Sequence, residues 1–293
     1  MSPIIRSQTR HQPPSYLFGL VGFPLGHSLS PQIHAAALHA LDLNGEYALY
    51  PVPPLPEGAD QMGRLIARLR DGRLHGLNVT IPHKTRVIPY LDVLTPTADA
   101  IGAVNTLFRK NGLLIGDNTD SPGFWADLHT RLDLNHPVNR DALVLGAGGS
   151  ARAVTHALVT QGYPVTIAAR RLDQARELRD HFSAASEQLV AIQIESASLS
   201  GQAWSLIINT TPVGMHPHPN ASPWPSDTPF PRRAAVYDLV YNPSETKLVK
   251  DAREAGLQAV SGLGMLVEQA VLAFERWTGL EAPRNEMMAA VCG

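Results

Sequence analysis

Apolar and polar positions along the chain switch repeatedly between a strand-like and a helical period. Tyr16 to Val21 is a short apolar and aromatic run stopped by Gly22, Pro24 and Gly26, which predicts a buried strand followed by a loop. Ser30-Pro31 signals a helix start, with Ser as N-cap and Pro at the first helical position. Ile33, Ala36, Ala37, Ala40 and Leu41 then keep helical spacing. Glu46 to Val52 predicts a strand, Gln61 to Leu69 a helix, and Gly76 to Thr80 another strand. Ala103 to Phe108 and Leu113 to Ile115 flank Lys110-Asn111-Gly112, and Asn-Gly between two apolar runs is a hairpin signal. A helix is expected from about Ser121. This alternation implies an α/β layer structure.

The segment Leu132 to Asp141 is polar, contains Pro137 and has little periodicity, so it is the expected connection between domains. A second alternating series follows: Ala142 to Leu145 as strand, Ser150 to Gln161 as helix, Val165 to Ala169 as strand and Leu172 to Phe182 as helix. Leu206 to Asn209 and Val236 to Val240 read as further buried parallel strands. Leu263, Leu266, Val267, Ala270, Val271 and Phe274 form the clearest amphipathic helix. Its broad apolar stripe is expected to dock across both domains.

Composition narrows the function classes. A chain of 293 residues with formal net charge -2 and 44% hydrophobic residues is an ordinary globular protein, and its length suggests two domains. Near-neutral charge argues against nucleic acid as a partner, because such proteins carry a basic face to neutralise phosphates. The single thiol, Cys292, leaves no disulfide framework and no Cys-based zinc site, and a reducing cytoplasm fits best. Residues 1–15 hold several prolines and no apolar run, so they are expected to be a disordered leader rather than a signal peptide or membrane anchor. The 12 His residues show no H-E-x-x-H or comparable spacing, so no metal site is expected.

Gly146-Ala147-Gly148-Gly149-Ser150-Ala151 follows the strand Leu143-Val144-Leu145 and opens a helix, which matches the G-x-G-x-x-G/A dinucleotide fingerprint in its required context. The glycines permit a tight turn and close backbone approach, and the helix N-terminus favours a pyrophosphate. About 20 residues on, where an NAD-binding fold offers an acid to the ribose 2′-hydroxyl, this chain has Ala168-Ala169-Arg170-Arg171. Two guanidiniums in place of an acid select NADP over NAD, since nothing there repels a 2′-phosphate.

Further motifs are Gly22-Phe23-Pro24-Leu25-Gly26-His27-Ser28-Leu29-Ser30-Pro31, Asn78-Val79-Thr80-Ile81-Pro82-His83-Lys84, Ala103-Val104-Asn105-Thr106 and Gly116-Asp117-Asn118-Thr119-Asp120. Later in the chain come Asn209-Thr210-Thr211-Pro212-Val213-Gly214, Tyr237-Asp238-Leu239-Val240-Tyr241-Asn242-Pro243 and Gly262-Leu263-Gly264-Met265-Leu266-Val267-Glu268-Gln269-Ala270. Together, from about Tyr16 to the end, they resemble the shikimate dehydrogenase family. The resemblance implies reversible NADPH-dependent reduction of 3-dehydroshikimate to shikimate, on the route to aromatic amino acids. It makes Lys84 and Asp120 the catalytic pair. Ser28, Ser30, Thr80, Asn105, Tyr241 and Gln269 match substrate positions, the two serines holding the carboxylate. Ala147, Gly148, Gly149 and Arg170 match the phosphate-binding region, and Leu239 and Gly262 match positions near the nicotinamide. The fingerprint itself adds Gly146 and Ser150, and Arg171 supplies charge where relatives often place an Asn before the Arg and this chain has Ala169. His27 and His83 are given structural or supporting roles.

Taken alone, several of these residues have duller readings. Ser30 is an obvious N-cap, and Asp120 reads as a cap for the following helix. An isolated Lys is usually a solvated surface residue. Two other functions stay open: a quinate/shikimate dehydrogenase with relaxed substrate or cofactor use, and a non-catalytic nucleotide-binding regulator on the same fold. The expected architecture is α/β in two domains. An N-terminal substrate domain comprises 16–120 and is completed by 263–293, and a Rossmann-type doubly wound NADP-binding domain comprises 121–262. A small-molecule substrate, no nucleic acid, no membrane, and a monomer or homodimer complete the expectation.

Overall fold

Two six-stranded sheets organise the computed structural model, which describes residues 16–132, 140–184 and 187–292. The leader expected at 1–15 and most of the connection expected at 132–141 lie outside the described residues. The first sheet is built from β1 (Tyr16–Gly22), β2 (Gly45–Pro51), β3 (Gly76–Val79), β4 (Val93–Leu94), β5 (Thr106–Lys110) and β6 (Leu113–Asp117). Helices α1 (Ser30–Ala40), α2 (Ala59–Arg70) and α3 (Pro96–Ile101) connect them. Its order is β2-β1-β3-β5-β6-β4. β1 lies parallel to β2 and β3, whereas β5 runs antiparallel to β3 and β6. The β5–β6 hairpin turns through Asn111 (φ 53) and Gly112 (φ 81), the two positive φ angles that a two-residue turn of this hand needs.

Helix α4 (Asp120–Arg131) leads to the second sheet: β7 (Ala142–Leu145), β8 (Val165–Ala169), β9 (Leu189–Gln193), β10 (Leu206–Asn209), β11 (Ala235–Asp238) and β12 (Gln258–Ser261). Between and after these strands come α5 (Gly149–Thr160), α6 (Leu172–His181), α7 (Ser196–Leu199), α8 (Lys247–Glu254), α9 (Leu263–Thr278) and α10 (Arg284–Ala289). The order β12-β11-β10-β7-β8-β9 with every pair parallel is the doubly wound dinucleotide-binding topology. The strand order reverses between β7 and β10, and ligands bind such sheets beyond the carboxyl ends of the strands at that reversal.

The apolar face of α2 (Met62, Leu65, Ile66, Leu69) packs against Leu77, Leu107 and Leu114 on one face of the first sheet. The opposite face is covered by α1, α9 and α10, where Phe18, Ile33, Val267, Val271, Phe274 and Met287 share one core. Each such side chain, wholly removed from water, contributes roughly 1.5–3 kcal/mol. Met265, one turn into α9, belongs instead to the core of the second sheet with Phe124, Leu128, Val154 and Ile167. The stripe read from the sequence (Leu266, Val267, Ala270, Val271, Phe274) packs on the first sheet alone, and α9 reaches the second core through Met265, which lies outside that stripe.

Two local readings need correction. Ser30 is not the N-cap of α1: the Leu29 carbonyl already accepts the Ile33 N–H (3.2 Å), so Leu29 is the cap and Ser30 the first helical residue. The Ser30 N–H is satisfied by Ser28 Oγ at 3.3 Å. Asp120 does not cap α4 either. Asn118 Oδ1 accepts the N–H groups of Asp120 (3.1 Å) and Ser121 (3.2 Å), which leaves the Asp120 carboxylate free for other partners.

Candidate active site

A cleft of about 1560 Å³ runs between the carboxyl ends of the two sheets. Drug-sized ligands occupy roughly 300–1,000 Å³, so the space suits a dinucleotide together with a small ring. All the site residues expected from the sequence line this one cleft. Ser28, Ser30, Thr80, Lys84, Asn105, Asp120 and Gln269 stand on the side of the first sheet. Gly146, Ala147, Gly148, Gly149, Ser150, Arg170, Arg171, Leu239, Tyr241 and Gly262 stand on the side of the second.

Lys84 lies at the centre. It follows the end of β3, and its Nζ donates to Asp120 Oδ2 at 2.7 Å, with side chains only 13% and 7% exposed. Nearly dry surroundings make such a pair much stronger electrostatically than a surface pair. The other Asp120 oxygen, Oδ1, accepts Asn105 Nδ2 at 2.9 Å. Asn105 is fixed in turn: its Oδ1 accepts the Thr119 N–H at 2.7 Å, and its Nδ2 also faces Thr119 Oγ1 (2.9 Å) and Gln269 Oε1 (3.4 Å). This chain of bonds ties β3, the β5 entrance, α4 and α9 to a single carboxylate–ammonium pair. Such a group can donate a proton-bearing N–H to a carbonyl oxygen and stabilise charge that develops there.

Beneath it sits a polar floor that the motif reading left unassigned. Asn78 is buried in the cleft wall, accepts the Tyr47 hydroxyl at 2.9 Å, and donates to the Asn105 carbonyl and Thr106 Oγ1, each at 3.2 Å. Tyr47 is half-buried, and burial pushes its phenol above the ordinary range. His34 stacks on Tyr47 with ring centroids 4.4 Å apart. Burial lowers the His34 pKa to about 3, against a smaller upward pull from the Asn78 amide, which neither ring nitrogen reaches within hydrogen-bond distance. Burial likewise raises the Tyr241 phenol, so that side chain meets the cleft as a neutral hydroxyl. His83 Nε2 contacts the Val52 carbonyl at 2.8 Å, a fold-supporting position, while His27 lines the cleft mouth against the His216 ring, centroids 5.3 Å apart.

On the nucleotide side, Gly146 has φ 117, a conformation that L side chains rarely adopt, and a Cβ there would lie 2.5 Å from Thr210 Oγ1. Helix α5 starts directly after Gly148 and has no acid in its first turn, so its N–H groups and positive dipole end face the cleft uncompensated. At the end of β8, Arg170 and Arg171 are exposed, and among the described residues neither has an ion-pair partner. Arg171 is also the N-cap residue of α6. Free guanidiniums at a helix N-terminus fit a phosphate monoester, and thus the NADP form of the cofactor. Arg152, which the motif reading passed over, lines the same end and pairs with Glu177 at 3.1 Å.

At the ring end, Gly262 allows α9 to begin against Leu239: a Cβ at Gly262 would lie 2.5 Å from the Leu239 carbonyl oxygen. Asp238, buried at the tip of β11, accepts Asn209 Nδ2, the Thr246 hydroxyl and the Val240 N–H. Burial nevertheless pushes its carboxyl up to about 6. Besides Asn78 and Arg152, the structure adds Thr210, Thr211, Val213, Met215 and His216 to the lining. Thr210 and Thr211 approach Gly146 across the strand reversal, a nearness that no local spacing encodes. Among the described residues no cluster of three or more His, Cys, Asp or Glu is placed to hold a metal ion, and no helix is long and apolar enough to cross a membrane.

Comparison with known proteins agrees with this geometry. Residues 20–107 match the shikimate dehydrogenase substrate binding domain, and residues 262–292 match the shikimate 5'-dehydrogenase C-terminal domain. The chain is 41% identical over 275 residues to the shikimate dehydrogenase (NADP(+)) of Carboxydothermus hydrogenoformans, covering 94% of this chain and 96% of the relative. It is 42% identical to that of Salinibacter ruber, with the same coverage. Among solved structures, the shikimate 5-dehydrogenase of Thermus thermophilus in complex with NADP(H) and shikimate superposes with TM-score 0.80 and 38% identity, covering 94% of this chain and 98% of that one.

Proposed function

This chain belongs to the shikimate dehydrogenase family, and from that premise we propose that it catalyses the reversible NADPH-dependent reduction of 3-dehydroshikimate to shikimate. The observation that carries the reading is the Lys84–Asp120 pair set in the cleft directly opposite the dinucleotide loop. The nicotinamide, when bound beside Leu239 and Gly262, supplies the hydride. Everything else falls to the chain's own groups.

The Lys84 ammonium donates to the ketone oxygen and stabilises its developing negative charge, while Asp120 keeps the ammonium charged and aimed. As the hydride reaches the carbon the ammonium passes one proton to the oxygen and becomes a neutral amine, and in the opposite direction that amine takes up the hydroxyl proton. Ser28 and Ser30 hold the ring carboxylate, and Thr80, Asn105, Tyr241 and Gln269 surround the ring hydroxyls. Short neutral donors and acceptors of this kind suit a polyhydroxylated ring that offers little apolar surface. Gly146, Ala147, Gly148, Gly149 and Ser150 cradle the pyrophosphate, with Arg170 and Arg171 on the 2′-phosphate. In this assignment 16–120 with 263–293 is the substrate domain, and 121–262 the nucleotide domain. The packing of α9 and α10 onto α1 supports it. The enzyme acts in the cytoplasm, a reading supported by a single thiol, Cys292, left free at the surface, and is read as a monomer or homodimer.

An absorbance assay at the reduced-nicotinamide band, pairing shikimate and quinate with NADP and NAD, tests the proposal. Shikimate with NADP should give by far the highest kcat/KM, and equal efficiency with NAD would overturn the cofactor reading. Lys84→Ala should lose at least about 10²-fold in kcat while still binding cofactor. Near-normal turnover in that variant would remove Lys84 from the mechanism.

A further inference from the structure

Lys84 has a second hydrogen-bond partner that its pairing with Asp120 does not explain. Its Nζ donates to Ser150 Oγ at 3.2 Å, across the cleft and 66 positions along the chain. The contact is continuous along the side chain. A Cβ added at Gly149 would lie 3.0 Å from Lys84 Cβ and 3.1 Å from its Cδ, so the dinucleotide loop packs on the lysine stem as well as on its head. The Lys84 ammonium has three N–H donors. One is held by Asp120, one by Ser150, and the third remains for a substrate oxygen.

Ser150 is the second residue of α5, whose first-turn N–H groups face the cleft. Its oxygen accepts from Lys84, and its own hydroxyl hydrogen has no acceptor among the described residues. A hydroxyl that accepts from an ammonium is polarised to donate. The position to which it can donate is the anion site at the α5 N-terminus, which would hold the pyrophosphate. We infer that Ser150 is a positioning residue that couples cofactor seating to the aim of Lys84: with the pyrophosphate in place its hydroxyl is oriented, its lone pair is presented to the ammonium, and the third Lys84 N–H is directed at the substrate oxygen. The ordinary role of a fingerprint residue is to bind phosphate through its backbone N–H. The side chain of Ser150 adds a second task, carried out on the opposite wall of the cleft.

The inference rests on the reading of Lys84 as the catalytic group, and a double-mutant cycle separates the two. Ser150→Ala keeps the backbone N–H and should leave the dissociation constant for NADP, read by nucleotide fluorescence, within about threefold of wild type. Its kcat should fall about tenfold, the scale of one hydrogen bond to a charged group, with KM for shikimate nearly unchanged. Ser150→Thr, which retains the hydroxyl, should recover most of the loss. In a Lys84→Ala background the Ser150→Ala cost in kcat should vanish, because no ammonium is left to aim. A Ser150→Ala cost that persists in that background, or that appears wholly in cofactor affinity, would show that Ser150 serves only the phosphate and would overturn the inference. So would an unchanged kcat in Ser150→Ala alongside a disabled Lys84→Ala, which leaves the catalytic reading intact. A fully active Lys84→Ala would instead defeat the reading beneath it.

Discussion

His34 gives the folded state an acid sensitivity whose size follows from its surroundings. The ring is wholly buried, lies within 4° of parallel to Tyr47, and has its pKa lowered by burial to about 3 from the ordinary 6.5. In the unfolded chain the imidazole takes up a proton as pH falls through 6.5, whereas in the folded protein it stays neutral until about 3. The unfolded state therefore binds more protons between these values. The stability associated with His34 is complete above pH 6.5 and is lost progressively toward pH 3. Each pH unit is worth about 1.4 kcal/mol, so lowering the pH from 7 to 5 should remove about 2 kcal/mol through this one side chain. Replacement by Phe keeps an aromatic ring in the Tyr47 and Phe274 stack but cannot titrate. Urea unfolding followed by circular dichroism at pH 7, 6 and 5 measures the difference between wild type and His34→Phe. That difference should move in favour of the variant by about 2 kcal/mol across the range, with the urea slope unchanged. Parallel pH profiles for the two proteins would refute the argument, since they would mean that His34 is protonated in the folded state. Because His34 stays neutral in the folded protein over this range, KM for shikimate should change with pH alike in wild type and variant, and only the unfolding free energy should differ.

Other perturbations test separate parts of the site. Replacing Arg170 and Arg171 by Ala should raise KM for NADPH at least about tenfold, the scale of a lost charge-assisted bond, with KM for NADH unaffected, as steady-state kinetics with both cofactors would show. Asn118→Ala removes the oxygen that accepts the first α4 N–H groups and should cost about 1 kcal/mol in denaturant unfolding. Its kcat should also drop, because that first turn carries Asp120. Gly123→Ala would place a Cβ 2.8 Å from the Gln269 backbone nitrogen, where α4 and α9 meet. The overpacking should cost about 1–3 kcal/mol, and displacement of Gln269 should raise KM for shikimate more than KM for NADP.

Legibility of the fold followed the length and regularity of its elements. The strands β7, β8 and β10 have the bounds their apolar runs predict, and the Asn111-Gly112 hairpin forms where its turn residues stand. Strand β4 has two residues and α7 four, too few for any period to emerge. Strand β9 is half exposed, so its burial pattern lacks the continuous apolar run of its neighbours. The caps of α1 and α4 fall one position upstream of Ser30 and Asp120, and the side-chain oxygens that satisfy their first N–H groups lie on Ser28 and Asn118. Asn78 went unassigned because, read singly, it is a polar residue in a buried strand. Its purpose depends on Tyr47 and Thr106, which reach it only through β-sheet pairing and the layer beneath.

The sequence by itself determined the alternation of strands and helices, the dinucleotide fingerprint and the replacement of an acid by Arg170 and Arg171. All of these are written in short stretches of chain, where spacing of a few residues already implies a shared face or turn. The tertiary structure alone decided which groups meet. Asn105 faces Gln269 across 164 positions and Lys84 meets Ser150 across 66, contacts set by the packing of α9 against α4 and by the approach of the two sheets. No local period encodes such distances. They arise because apolar faces far apart in the chain can be buried only against one another, and the polar residues beside those faces are carried into the same cleft.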